Sequence, residues 1–236
     1  MHEITLRVDN LSRRHGAFWA LRDASFATSP GEILGLIGPN GSGKTTLVEC
    51  VAGIQSPTSG KIFVGEKEIP PERRKEFLYL VPDGIRPWPD QTVMTVLRFI
   101  AALHRNSANA LERIVQELAL TPLMHSRLVE LSKGEHRRVM LGIGLLTPQP
   151  ILVLDEPFDG LDFRQTRDVI AVLRRHAQGG RTLFLSIHQL PDAERICDRL
   201  LLLNAGRIVG DGTLPQLQQT TGLGSGMLED IFMALT

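Results

Sequence analysis

The segment Gly38-Pro39-Asn40-Gly41-Ser42-Gly43-Lys44-Thr45 constrains this chain more than any other stretch. It fits the phosphate-loop pattern G-x-x-x-x-G-K-[S/T], which forms a site only between a buried strand and a helix. Both flanks are present. Ile33-Leu34-Gly35-Leu36-Ile37 is an apolar run that predicts a buried strand, and the stretch from Thr45 to about Val51 predicts a helix. Glycines let the backbone curl until successive N–H groups converge on phosphate oxygens, and the helix N-terminus adds partial positive charge. Lys44 is placed to reach the β- and γ-phosphates and the Thr45 hydroxyl to ligate Mg²⁺. A plain glycine turn before a helix is the alternative; the flanking strand and helix weigh against it. Residues 38–45, with Thr46, are expected to bind a nucleoside triphosphate.

The chain has 236 residues, 42% hydrophobic and 22% charged, a globular composition with room for one sizeable α/β domain. Lys plus Arg and Asp plus Glu balance at 26 each, which argues against a nucleic-acid binder. The pairs Arg13-Arg14, Arg73-Arg74 and Arg137-Arg138 are expected on solvated faces or as ligand contacts. Cys50 and Cys197 lack metal-site or disulfide-framework spacing and read as packing residues, which fits a reducing cytosol. His2, Glu3, Arg7 and Asp9 give the start of the chain no secretory-leader pattern. No apolar run approaches the roughly 18 residues of a membrane span. If the protein works at a membrane, another chain does the spanning.

Short strand patterns and turns alternate through residues 1–32, Ile4 to Val8 with period two. Further strands are predicted at Lys61–Val64 and Phe77–Val81, the latter stopping at Pro82. From about Thr92 to Leu146 the periodicity is helical. Strands return at Ile151–Leu154, Thr182–Ile187 and Arg199–Leu203, with a helix from Arg164 to Ala177 between the first two. Strand–helix–strand repetition with continuously apolar strands indicates a parallel sheet covered on both faces. Gly222, Gly224 and Gly226 precede a short amphipathic helix, Leu228 to Leu235.

Ile151-Leu152-Val153-Leu154-Asp155-Glu156 is a buried strand ending in two carboxylates. In an open α/β sheet ligands bind at the carboxyl edge. Asp155 can hold a Mg²⁺ water shell opposite Thr45, and Glu156, outside the strand, is free to activate a water. A solvated acidic pair at an ordinary strand end is the alternative, and the upstream phosphate loop weighs against it.

Leu131-Ser132-Lys133-Gly134-Glu135 precedes a helical run from Val139 to Leu146, with Ser132 a natural N-cap. With this segment the motif order resembles the ATP-binding-cassette (ABC) ATPases over nearly the whole chain. That order is phosphate loop, helical insert, L-S-x-G-[E/Q], aliphatics then Asp-Glu, and a late His at a strand end, here His188. The resemblance implies an α/β phosphate-loop NTPase core with a mostly parallel central sheet. An N-terminal antiparallel β subdomain and an inserted helical subdomain complete the expected fold. Residues 1–82 and 151–215 are expected to form the core and β subdomain, 83–150 the helical subdomain with the signature, and 216–236 a short C-terminal helix.

The resemblance also implies head-to-tail pairing. The signature residues Ser132, Gly134 and Glu135 of one copy then close over the γ-phosphate held by the other. Glu156 is implied as general base, and His188 as the residue that contacts the γ-phosphate and positions the attacking water. Lys44 joins them in catalysis. Gly160-Leu161-Asp162 resembles the loop that crosses the dimer interface. Four positions depart from the family pattern. His15 stands where an aromatic ring, commonly Tyr, stacks on adenine. Asp83 replaces a Gln that helps hold Mg²⁺, and is expected to keep the metal role while altering turnover or coupling. Lys133 replaces Gly, adding positive charge near a triphosphate, and Glu135 stands where Gln is frequent.

The expected function is an ATP-binding and ATP-hydrolysing subunit that uses ATP and Mg²⁺ to power a membrane transporter. The expected partners are a second ABC subunit, identical or homologous, and membrane-spanning subunits, with no nucleic acid. The expected place is cytoplasmic, peripheral on the inner face of the cell membrane. A soluble cassette not tied to transport, or a low-activity regulatory one, stays open. Met227 to Leu235 and Ser186 to Glu194 resemble exporter-type cassettes. Gly84 to Gln91, with Pro87-Trp88-Pro89, is a candidate groove for the membrane partner; Trp88 is either an exposed anchor or packed under a loop.

Overall fold

The computed structural model describes residues 5–106, 108–224 and 226–236. His2, Glu3 and Ile4, the last of which opens the first expected strand, lie outside them. The first half of the chain runs β1 (Leu6–His15), β2 (Phe18–Ala27), β3 (Ile33–Ile37), α1 (Lys44–Ala52), β4 (Ser59–Val64), β5 (Lys67–Glu68) and β6 (Leu78–Val81). Three helices follow, α2 (Val93–Leu103), α3 (Ala108–Glu117) and α4 (Lys133–Leu145). The remainder is β7 (Ile151–Asp155), α5 (Phe163–Gln178), β8 (Thr182–Ile187), α6 (Leu190–Ile196), β9 (Arg199–Asn204), β10 (Arg207–Gly212), α7 (Leu214–Thr221) and α8 (Leu228–Leu235).

Two sheets form. One is antiparallel, in the order β2-β1-β4-β5; the other runs β10-β9-β3-β8-β7-β6 and is parallel except for β10. This is the expected α/β architecture. Every residue of β3, β7 and β8 is buried. Alternate side chains divide between two cores: Leu34, Leu36, Ile151, Val153 and Phe184 face α1 and the antiparallel sheet, while Ile33, Ile37, Leu152, Leu154 and Leu185 join the core formed with α2 to α5. Such strands have no solvent face, which is why they read as unbroken apolar runs.

β10 and α7 are not among the elements expected from the sequence. β10 returns from β9 through Ala205 (φ 45°) and Gly206 (φ 78°), the paired left-handed residues of a tight hairpin turn. α7 is capped by Thr213, which forms a reciprocal capping box with Gln216. The dibasic pairs also need correction. Arg74 and Arg137 are buried, not solvated; Arg74 donates to the carbonyls of Ile69 and Cys50. Both cysteines are free packing groups, as expected. Burial pushes both thiols up, Cys50 to about 11. Among the described residues no helix is long and apolar enough to cross a membrane.

Cys197 packs directly on β3. A Cβ built on Gly35 would lie 2.4 Å from its Sγ, so the strand that carries the phosphate loop tolerates no side chain there. Gly35→Ala is expected to destabilise the chain by about 1–3 kcal/mol through overpacking. Adding Cys197→Ala should restore most of the loss in a denaturant titration.

Candidate functional site

The register of the parallel sheet aligns four strand ends. Ile37 pairs with Ile187, Asp155 with Ser186 and Val81 with Leu154. The residues that step off these strands are therefore Gly38, His188, Glu156 and the Pro82-Asp83 turn, all at the carboxyl edge where an open α/β sheet binds ligands. Gly38, Pro39 and His188 also line one cavity of about 300 Å³.

At the phosphate loop, α1 begins at Lys44 behind Gly43, which sits at φ 109°, and no side chain caps the helix. Its first N–H groups are thus available to an anion. Two glycines are required by close approach. A Cβ on Gly43 would lie 2.4 Å from the Ala20 carbonyl oxygen, and one on Gly38 2.3 Å from that of Leu203. The Ser42 carbonyl accepts from the Gly206 N–H at 2.9 Å, so the β9–β10 hairpin braces the loop. Lys44 is buried and donates to the carbonyls of Gly38 at 2.7 Å and Pro39 at 3.3 Å. The ammonium thus lies folded over the loop. Thr45 is exposed on the first turn of α1, followed by half-buried Thr46.

Asp155 is buried, and its carboxylate accepts from Ser186 Oγ. Glu156 adopts φ 50°, an unusual conformation for a side chain with a Cβ. Its N–H is held by the Ser186 carbonyl at 3.1 Å and Oγ at 3.2 Å. The Glu156 carboxylate meets His188 twice, at 2.5 Å from Nδ1 and at 3.2 Å from the backbone N–H. The two residues expected to handle the water are therefore in direct contact. Ser186 was not singled out from the sequence; the Asp155↔Ser186 register is what reveals it.

The donors suit Mg²⁺. Thr45 offers a hydroxyl, and Asp155 a carboxylate with one oxygen committed to Ser186. Few hard oxygen donors, completed by waters and phosphate oxygens, is how that ion is usually held. Asp83 stands apart: its carboxylate pairs with Arg137, whose other arm donates to the Asp155 carbonyl at 3.2 Å.

The signature residues start α4. Ser132 Oγ accepts from the Glu135 N–H at 3.4 Å, and the Glu135 carboxylate accepts from the Ser132 N–H at 2.9 Å. That backbone N–H, with the Ser132 hydroxyl, holds the Glu135 carboxyl below its usual range. Glu135 is thus turned onto its own helix end. Gly134 accommodates the Gly160 carbonyl, 2.5 Å from where a Cβ would sit. Lys133 pairs with Asp159 at 2.5 Å, and this contact holds the Asp159 carboxyl low. Asp162 caps α5, accepting from the Gln165 N–H at 2.8 Å.

His15 is exposed at the end of β1 and pairs across the turn with exposed Phe18, an aromatic the sequence reading passed over. Trp88 is 46% exposed. It borders a hollow of about 280 Å³ with Gln91, Thr95, Val96 and Phe99, which resolves its two placements in favour of exposure.

Comparison with known proteins agrees with this geometry. The family model described as "ABC transporter" matches residues 21–159. The chain is 40% identical over 206 residues to ABC transporter G family member 8 of Arabidopsis thaliana, covering 84% of this chain and 35% of that protein. It thus spans about a third of that relative's length. It is 32% identical over 209 residues to the Nod factor export ATP-binding protein I of Rhizobium etli, covering 86% and 66% respectively. The solved structure of an ATP binding subunit of an ABC transporter superposes with a TM-score of 0.88 at 30% identity, covering 98% of both chains.

Replacing Lys44 by Ala removes a charge-assisted donor from the loop. Affinity for a fluorescent ATP analogue is expected to fall about tenfold to a hundredfold, matching loss of a charged hydrogen bond of about 1.5–3 kcal/mol. Equilibrium titration measures it.

Proposed function

Because this chain belongs to the ABC transporter family, we propose that it is the subunit that binds and hydrolyses ATP to drive a membrane transporter. One observation carries the reading: the uncapped end of α1, the Asp155 carboxylate and the Glu156–His188 pair all stand at one sheet edge. In this reading residues 1–82 and 151–215 hold the nucleotide, 83–150 carry the signature, and 216–236 supply the C-terminal helix.

Residues 38–46 cradle the phosphates through backbone N–H groups. Lys44 exchanges its carbonyl acceptors for β- and γ-phosphate oxygens. His15, with Phe18 across the hairpin, presents ring surface to adenine; β2 supports this placement because its Ala20 carbonyl packs on Gly43. Thr45 and Asp155 hold Mg²⁺, with Asp83 on the neighbouring loop. That ion, when bound, would supply positive charge to offset the negative charge that develops during transfer. Glu156 takes the proton of the attacking water. His188 steadies the Glu156 carboxylate by ring and backbone, and orients the water toward the γ-phosphate. Stabilising developing charge in a prearranged site is the main source of acceleration in such reactions.

Ser132 and Gly134 act on ATP held by a second copy or a homologous cassette, with the α4 N-terminus directed at the γ-phosphate. Glu135, turned onto its cap, is kept from opposing the anion. Membrane-spanning subunits dock at the hollow beside Trp88 and Phe99, with the protein peripheral on the inner face of the membrane. Export is favoured by the chain's exporter-like ending and by the relative whose name is tied to Nod factor export.

Glu156→Gln is expected to lower ATP hydrolysis by about 10²–10⁴-fold, the usual contribution of a general base. It should retain nucleotide and accumulate as a dimer in size-exclusion chromatography with ATP. Hydrolysis near the wild-type rate would remove Glu156 from this role.

A further inference from the structure

We propose that Arg137 is a positioning residue that ties the signature helix to the end of the catalytic strand, with Asp83 as its counter-charge. The inference rests on the reading of Glu156 as base. It starts from burial: Arg137 is 6% exposed, and a guanidinium removed from water must be paired and hydrogen-bonded. Its two terminal nitrogens reach different elements. Nη2 pairs with Asp83 in the loop after β6, and Nη1 donates to the Asp155 carbonyl at 3.2 Å.

That carbonyl belongs to the peptide whose nitrogen is the backbone N–H of Glu156. Ser186 holds the N–H side of this peptide and Arg137 the carbonyl side. Between them they fix the plane from which the left-handed Glu156 projects its carboxylate toward His188. A flat, two-armed donor suits the task, because it spans two acceptors in one rigid geometry.

Arg137 is one of three contacts along a single edge of α4. Lys133 pairs with Asp159, Gly134 abuts the Gly160 carbonyl, and Arg137 holds the Asp155 carbonyl. The N-terminal turns of α4 therefore ride on segment 155–160. Arg137 also pairs with Asp83 in the loop after β6. A neutral amide at position 83 could accept a hydrogen bond but could not balance the buried guanidinium; the carboxylate of Asp83 does both. Movement of α4 or of the Asp83 loop is thereby felt at the Glu156 peptide of the same copy.

Arg137→Lys keeps the charge but not the fork, so it serves one acceptor at a time. The expected results on the purified chain are threefold. Amide hydrogen exchange across 155–160, followed without nucleotide, speeds up. The hydrolysis rate at saturating ATP falls about tenfold to a hundredfold, as for a slightly misplaced group. Affinity for a fluorescent ATP analogue is unchanged. Asp83→Asn should also speed exchange in 155–160, and the double variant should be little worse than the worse single, because the residues act as one unit. Wild-type exchange at 155–160 in Arg137→Lys, or additive effects in the double variant, overturns the proposal. If Arg137→Lys fails to fold, Asp83→Asn decides: unchanged exchange overturns the link and faster exchange supports it. Hydrolysis that survives Glu156→Gln in an otherwise unaltered chain overturns the base assignment instead. The exchange result then still supports or overturns the Arg137 link by itself.

Discussion

The carboxylate of Asp155, buried at the end of an otherwise apolar strand, sets the terms for the rest of the site. An ionised group removed from water is costly unless hydrogen bonds and opposite charge replace its hydration. The neighbouring strand meets part of that demand through Ser186 Oγ. The same pairing register brings the Ser186 carbonyl to the Glu156 N–H. A left-handed residue with a side chain is disfavoured by about 1–2 kcal/mol, and this hydrogen bonding offsets the strain. One strand register thus fixes both the expected metal carboxylate and the expected base.

Three departures from the family pattern share a logic. Lys133, Glu135 and Asp83 each put a charge where a neutral residue is frequent, and each meets a partner within the chain. Lys133 has Asp159, Glu135 has the N–H of its own cap, and Asp83 has Arg137. Each of these charges is therefore matched by a partner within the chain.

What could be read in the sequence was local. β3, the phosphate loop and α1 are contiguous, so their joint meaning survives in one stretch of letters. β7 was legible because a strand buried on both faces leaves an unbroken aliphatic run. The helix ends were legible where capping is local, as at Ser132. Illegible were pairings between distant segments. Nothing near Ser186 announces that its hydroxyl faces Asp155, 31 residues away. Arg137 looked like half of a solvated dibasic pair, because burial of a charged residue depends on a counter-charge 54 positions off. The β10 hairpin was missed because Ala205 takes a left-handed turn position more often filled by Gly or Asn.

The uncapped first turn of α1 has a consequence for the energetics of the whole molecule. Its donors find no side-chain acceptor at the helix end, so an anion seated there completes the native state. Any ligand that binds the folded chain alone stabilises it by mass action, by about 2.7 kcal/mol at a hundredfold excess over its dissociation constant. The fold's resistance to heat and proteolysis is then a property of its surroundings as well as of its sequence. It rises and falls with the supply of whatever anion seats on that helix end.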